Sequence, residues 1–405
     1  MENLIFALAQ KSKGEIPVPQ PLVDEQLDSI LEKNPTFFSN PNIKIYNPCC
    51  GSGTYIVSVY KRLMTGLTSV FPDENQRKRH ILQNMLYAVD IKFTFIAHTI
   101  NLLDPNREYI NAKNFACADS LIHNWNQKFD LIMCSAPFSD GSSNGNTVWS
   151  NHYDCYEQLL NVDGYFITNL PSRWRSPVTP LGDKTGRNSF YKRLSKKQVL
   201  LLRMIDSAND FNHAKSDMLV IRNKNEECET RVYDTKNVQC NFSLVKYPWI
   251  PNFNLEHIFS LFSADENNRI ECKLTYECER RTKHMNRCTV PDENHKYACV
   301  NSITKDGSLD FYYSTRNDLP IMNSSKVILS HSGNCYAYND YNKKYGVTQH
   351  MYYIKVETNE EAERICRFTK SEYFVDLSMA CKWSMQQAGI VDALRFFDKK
   401  IYENY

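Results

Sequence analysis

Four short segments hold residue types suited to chemistry, and each stands at the end of an apolar run. Tyr46-Asn47-Pro48-Cys49-Cys50-Gly51-Ser52-Gly53-Thr54 follows Ile43-Lys44-Ile45 and leads into the apolar stretch Tyr55 to Tyr60. Gly51 and Gly53 have no Cβ, so the backbone there can take unusual angles and a ligand can approach it closely. A helix starting at that turn aims unpaired N–H groups at the ligand. Asp90 ends the next run, Tyr87-Ala88-Val89. An acid at that strand tip can accept two hydrogen bonds from a ribose cis-diol. Asp119-Ser120 closes a third run, and Ser135-Ala136-Pro137-Phe138 follows a fourth, Phe129 to Cys134.

The elements that must position these residues alternate. Apolar runs of strand length are followed by helical spacing, as in Ile91 to Leu103. The pattern implies an α/β fold with a Rossmann-like sheet and its functional residues at the strand ends.

In these residues the chain resembles the gamma class of S-adenosylmethionine-dependent DNA amino-methyltransferases, the adenine-N6 enzymes of restriction-modification systems. That family's motifs stand here, in order, at Asn47 to Tyr55, Asp90, Asp119-Ser120 and Ser135 to Phe138. Its entry segment is matched by Gly14 to Pro19, its fifth strand by Asp163 to Ser172 and its last strand by Met218 to Arg222, and the whole likeness spans about residues 10–225. The resemblance implies a site for S-adenosyl-L-methionine formed by Pro19, Asn47, Pro48, Cys49, Gly51, Ser52, Gly53, Asp90, Ile91, Asp119 and Ser120. It also implies a catalytic tetrad, Ser135, Ala136, Pro137 and Phe138. There a side-chain oxygen and the next carbonyl accept the two protons of the target amine, while the aromatic ring stacks on the flipped base.

The chain departs from the family pattern in two places. Asn47 replaces an Asp, keeping an acceptor oxygen but losing charge. Ser135-Ala136 replaces Asn-Pro, and Ser also occurs in enzymes that modify cytosine N4. The readings left open are cytosine N4 as target, RNA or a protein amide as substrate, and a catalytically degenerate subunit that binds cofactor or DNA. A nucleotide-dependent dehydrogenase is disfavoured, because Ser-Ala-Pro-Phe has no role there.

With 405 residues, two domains are expected. The expected division is a methyltransferase domain over residues 1–225 and a smaller α+β target-recognition domain over residues 240–405. The composition, 42% hydrophobic and 23% charged, is that of a soluble globular protein, and a net charge of +2 confines any nucleic-acid surface to local patches. Leu4 to Ala9 is too short to span a membrane and lacks a basic flank. A cytoplasmic or other DNA-containing intracellular location is therefore expected, with no membrane partner. The 14 cysteines read as reduced thiols, with Cys117, Cys134, Cys366 and Cys381 as small buried hydrophobes. Cys272, Cys278, His284, Cys288, His295 and Cys299 are a loose group without the tight pairs of a zinc site, so no metal is expected.

Basic residues gather after the fifth strand, from Arg173-Trp174-Arg175 to Lys192-Arg193 and Lys196-Lys197. Arg173, Arg175 and Lys192 are expected to contact phosphates and Trp174 to stack on a base. A second basic run is Arg280 to Arg287. Beyond residue 240, aromatic segments alternate in the strand manner and two helices follow, near Asn359–Thr369 and Glu372–Trp383. This half resembles the family's recognition domain. Lys344 suits phosphate, and Gln349 and His350 suit base edges, although such residues also cap strands. The partners implied are double-stranded DNA and a second methyltransferase-like or specificity subunit.

Overall fold

The computed structural model describes residues 18–110, 113–138, 148–178, 187–206, 215–331, 333–384 and 389–405. Two stretches read in the sequence lie outside these residues: the entry segment before Val18 and the apolar run Leu4 to Ala9. The chain divides into two compact units, Met1–Ser172 with Lys192–Tyr247, and Arg173–Tyr191 with Pro248–Tyr405.

The first unit is built on a nine-stranded sheet ordered β3-β2-β1-β4-β5-β7-β6-β8-β9. The strands are β1 (Ile45–Pro48), β2 (Leu86–Asp90), β3 (Phe115–Cys117), β4 (Phe129–Cys134), β5 (Leu160–Pro171), β6 (Gln198–Ile205), β7 (Ser216–Arg222), β8 (Thr230–Tyr233) and β9 (Gln239–Phe242). From β3 to β5 every pairing is parallel, while β7 lies antiparallel between β5 and β6. This is the doubly wound order with one antiparallel strand inserted, and the fold is that of a Rossmann-like methyltransferase. The strand order reverses between β1 and β4, so a crevice opens at their carboxyl ends.

Helices α1 (Gln20–Lys33), α2 (Thr54–Gly66) and α4 (Phe93–Leu103) pack their apolar stripes against that sheet; α3 (Glu74–His80) is a short polar helix. On α1 the stripe is Val23, Leu27 and Ile30, and on α2 it is Ile56, Val59 and Leu63, all fully buried. Spacings of three and four residues put each set on one helix face. Helix α5 (Trp149–Gln158) precedes β5, and α6 (Arg187–Leu194) precedes β6.

The expected end of the sheet after Arg222 is corrected. Strands β8 and β9 extend it at the free edge of β6, through Phe242. The residues after β5, Arg173–Tyr191, belong to the second unit.

The second unit holds a four-stranded sheet, β10-β16-β13-β14, and a three-stranded one, β12-β11-β15. Their strands are β10 (Cys272–Leu274), β11 (Tyr297–Ile303), β12 (Leu309–Ser314), β13 (Lys326–Ser330), β14 (Ala337–Asp340), β15 (Gly346–Val347) and β16 (Met351–Lys355). Helices α7 (Leu255–Ser260), α8 (Asn359–Lys370) and α9 (Glu372–Ala380) complete the main elements. Thr358 and Ser371 cap α8 and α9 by accepting from the N–H groups of Glu361 and Phe374. Lys326 and Asp340 face each other across β13 and β14 and form an ion pair of 2.7 Å with both side chains fully buried. No helix among the described residues is long and apolar enough to cross a membrane.

Candidate active site at the carboxyl edge of the sheet

The four chemistry-bearing segments meet this edge at the ends of β1, β2, β3 and β4. After β1 the chain turns sharply: Cys49, Gly51 and Gly53 all have left-handed backbones, with φ of 56°, 53° and 80°. Only glycine takes that conformation without steric cost, so Cys49 is held there by its surroundings. The turn is closed by Gly53 N–H donating to Cys50 O at 2.9 Å, and it is tied to β2 by Cys50 N–H donating to Val89 O at 3.0 Å. Asp90 completes the clamp. Its two carboxylate oxygens accept from the N–H groups of Gly51 and Lys92, each at 2.9 Å.

Asn47 is buried on β1, and its Nδ2 donates to Met133 O on β4 at 2.7 Å. Its Oδ1 is buried with no partner among the described residues. Asn169, fully buried on β5, stands on the other side of β4 and donates from Nδ2 to Ser135 Oγ at 3.2 Å. Its Oδ1 likewise lacks a described partner. An unmatched buried acceptor is costly, so each of these oxygens suits a donor brought by a ligand.

Behind the turn lies a polar chain. Cys49 Sγ is 3.5 Å from Ser120 Oγ, Ser120 Oγ is 2.6 Å from Tyr156 OH, and Tyr156 OH is 2.9 Å from His152 Nδ1. A hydrogen bond with Cys134 lowers the Cys49 thiol's pKa, while burial pushes the Cys134 thiol well up. Burial lowers the pKa of His152, with Asp119 opposing it. Asp119 is exposed and caps its own turn by accepting from Leu121 N–H at 2.9 Å. Ile91 is 71% exposed beside the acid, an apolar surface suited to a flat ring. Pro19 stands just before the first turn of α1, Ser52 Oγ lies 3.0 Å from Thr54 Oγ1, and Pro48 ends β1.

Of the four residues expected to form the tetrad, Ser135 and Phe138 are half-buried, Ala136 is buried and Pro137 is exposed. Phe138 O accepts from Val148 N–H at 3.3 Å, which draws together the two ends of the connection between them. Sequence reasoning missed Asn169. The available signal was a polar residue inside an otherwise apolar strand, Phe166-Ile167-Thr168-Asn169-Leu170.

The residues expected to touch DNA do not share one fate. Arg173 and Lys192 are exposed. Arg175 is fully buried, and its guanidinium donates to Ile250 O, Pro251 O and Asn252 Oδ1 at 3.0–3.1 Å. Trp174 is 1% exposed, stacked on Tyr191 with Phe190 at its edge. The expected phosphate and base contacts of Arg175 and Trp174 are therefore corrected: both are core anchors of the second unit. Gln349 Oε1 accepts from Arg280 N–H, and its Nε2 donates to Glu279, both at 3.3 Å, so this side chain is engaged in holding a turn. Lys344 is exposed; His350 is exposed over much of its surface, and partial burial of its ring, with the nearby Arg280 charge, lowers its pKa. The expectation that Cys117 is buried is also corrected, since it is exposed at the sheet edge.

Residues 3–162 match the family described as N-6 DNA Methylase, a span that reaches from before α1 to the start of β5. A Mycoplasma pneumoniae protein named as an uncharacterized adenine-specific methylase is 36% identical over 180 residues, 44% of this chain and 40% of that protein. The match thus spans less than half the length of that relative. Among solved structures, the ATP-dependent Type ISP restriction-modification enzyme LlaBIII bound to DNA is similar over 93% of this chain and 39% of its own, with a TM-score of 0.53 and 10% identity, a likeness of fold alone. The type I restriction-modification methyltransferase subunit from Streptococcus thermophilus aligns over 60% of this chain and 55% of its own at 15% identity, with a TM-score of 0.43. The family match and the Mycoplasma relative make the N-terminal part of this chain similar to adenine-N6 DNA methyltransferases, on a sheet of the methyltransferase kind.

Proposed function

We propose that the chain methylates the N6 amino group of adenine in double-stranded DNA, using S-adenosyl-L-methionine, with the second unit selecting the site. One observation carries this reading: the glycine turn, Asp90 and Ser135–Phe138 lie at one sheet edge, where Asn47 and Asn169 flank β4 with unmatched buried oxygens. The cofactor fits the residues present. Asn47 Oδ1 suits its ammonium group, the open side of Gly51 admits its chain, Asp90 suits ribose hydroxyls, and Ile91 and the Asp119-Ser120 turn suit adenine.

When bound, S-adenosylmethionine supplies an electrophilic methyl group. The protein's own task is to aim the amine. Ser135 Oγ and the Ala136 carbonyl accept its two N–H groups, which turns the nitrogen lone pair toward the methyl. Asn169 holds the Ser135 hydroxyl in place, and Phe138 stacks on the flipped base. No metal or covalent enzyme adduct is required.

Ser135-Ala136 and the uncharged Asn47 favour a second reading, a subunit that binds cofactor or DNA without transferring methyl groups. The test is calorimetric titration of the cofactor followed by mass-spectrometric nucleoside analysis of treated DNA. N6-methyladenine is expected. Ser135→Ala and Asn169→Leu are expected to lower kcat while leaving cofactor affinity unchanged, and Ser135→Asn to preserve or raise it. Phe138→Ala is expected to weaken base capture by about 1–3 kcal/mol. Bound cofactor with no methyl on any DNA would establish the second reading.

A further inference from the structure

Between β10 and β11 the second unit runs through residues 275–296 with no strand or helix. A stretch that long without regular structure needs side-chain anchors to hold one shape. Its first half has them, since Cys278 and Met285 are fully buried in the unit's core. Its second half closes on itself instead. Cys288 Sγ, a carboxylate oxygen of Asp292 and a ring nitrogen of His295 all lie within 4.8 Å of one another.

The cluster is built by its own turn. Asp292 Oδ1 accepts from the N–H groups of Asn294 and His295 at 2.7 and 2.6 Å, which fixes the carboxylate. His295 Nδ1 stands 2.9 Å from Asp292 Oδ2, and Cys288 Sγ stands 3.9 Å from the same oxygen. Four-coordinate zinc with bonds of about 2.0–2.3 Å holds its donors roughly 3.3–3.8 Å apart. Zinc would draw the Asp292–Cys288 pair in from 3.9 Å and open the Asp292–His295 pair from 2.9 Å, each by less than about 1 Å. A thiolate, an imidazole and one carboxylate are the donor set that favours zinc over magnesium or calcium.

We propose that Cys288, Asp292 and His295 bind one zinc ion, with water as the fourth ligand, and that the ion pins the basic turn before it. Of the cysteines and histidines singled out in the sequence, only Cys288 and His295 meet here. Asp292, which no cysteine–histidine pattern picks out, joins them, while Cys272, Cys278 and Cys299 are buried as thiols in the core. Binding displaces the Cys288 thiol proton to solvent, and His295 binds through Nδ1 as the neutral imidazole, with its one proton on Nε2. The ion's place in the chain gives it a purpose. Asn286 and Arg287, directly before Cys288, have left-handed backbones with φ of 41° and 53°. They end the basic run Arg280-Arg281-Thr282-Lys283-His284-Met285-Asn286-Arg287. Tying Cys288 to the 292–295 turn fixes the direction in which that run leaves the core.

The test uses the reduced full-length chain stripped with chelator. Elemental analysis after loading and desalting is expected to give one zinc per chain. Cobalt(II) substitution is expected to give the near-ultraviolet thiolate charge-transfer band and the visible bands of a tetrahedral site. Cys288→Ser is expected to abolish the charge-transfer band, and Cys117→Ser, which removes the exposed thiol, to leave it intact. Asp292→Asn and His295→Ala are expected to weaken zinc binding by more than the about 10–100-fold typical of losing an outer partner. If Cys288→Ser does not fold, those two variants decide the matter. Zinc is expected to slow tryptic cleavage within residues 280–287. Zinc well below one per chain, a cobalt band that survives in Cys288→Ser, or unchanged affinity in both other variants would overturn the proposal.

Discussion

Gly51 and Gly53 offer a way to distinguish a ligand-binding turn from an ordinary strand-to-helix connection, because the same substitution meets different surroundings at the two positions. Both are left-handed, so alanine costs about 1–2 kcal/mol of backbone strain at either. At Gly53 the added Cβ would lie 2.9 Å from Thr99 Oγ1, on a side chain that is fully buried. Overpacking there adds about 1–3 kcal/mol. At Gly51 nothing lies within 4 Å of the new Cβ. Gly51→Ala should therefore lose only the strain term, about 2–8 °C in Tm at roughly 2–4 °C per kcal/mol, while Gly53→Ala loses clearly more. Binding should reverse this order. If a cofactor lies over the turn, the Gly51 methyl group occupies ligand space, and a misfit of about 1–3 kcal/mol weakens Kd roughly 5- to 150-fold. Thermal unfolding and calorimetric titration with S-adenosylhomocysteine measure both quantities. The reasoning fails if Gly51→Ala shows the strain loss in Tm yet binds within twofold of the parent, because the open side of the turn would then face nothing.

Three further outcomes follow from the geometry. Lys326→Met leaves Asp340 without its cation in the core of the second unit, which should cost about 3–5 kcal/mol in urea unfolding; replacing both partners with apolar residues should recover only part of that loss, because the Asp340 carboxylate also accepts from the N–H groups of Lys344 and Tyr345. Arg173→Ala with Lys192→Ala should reduce the slope of log K for DNA against log salt by about 2 and leave any preferred sequence unchanged, whereas Arg175→Ala should show up in unfolding before it shows up in binding. Burial holds the folded-state pKa of His152 below its ordinary value, so the unfolded chain takes up the proton first as pH falls. The stability this residue contributes is present above about pH 6.5 and drains away as pH drops below that value, and His152→Gln should flatten the Tm profile as pH falls through that value.

The parts of the candidate site that were legible in the sequence are those where backbone geometry demands a particular residue at a particular position. A turn with φ of 53° and 80° at Gly51 and Gly53 calls for glycine, and an acid at the tip of β2 is placed by the strand itself, so both can be read without knowing any tertiary contact. Long-range competition was not legible. Arg173 and Arg175 are the same residue type two positions apart after the same strand, yet one is exposed and the other is consumed by two carbonyls and an amide oxygen some 75 residues away. Nothing local separates them. The edge strands β8 and β9 were missed for a related reason: Thr230–Phe242 is short and polar, and it becomes a hairpin only because β6 offers an unpaired edge. Asn169 shows how this limit bears on the proposed function. A Ser in place of Asn at position 135 looks like the loss of an amide from the site when the tetrad is read alone. In the folded chain an amide is still there, on the neighbouring strand β5, donating to that same Ser135 hydroxyl from a fully buried position. The departure at Ser135 therefore has to be judged together with Asn169, and pairing Ser135→Asn with Asn169→Leu asks whether the two positions perform one task between them. If they do, the double variant should methylate better than Asn169→Leu alone.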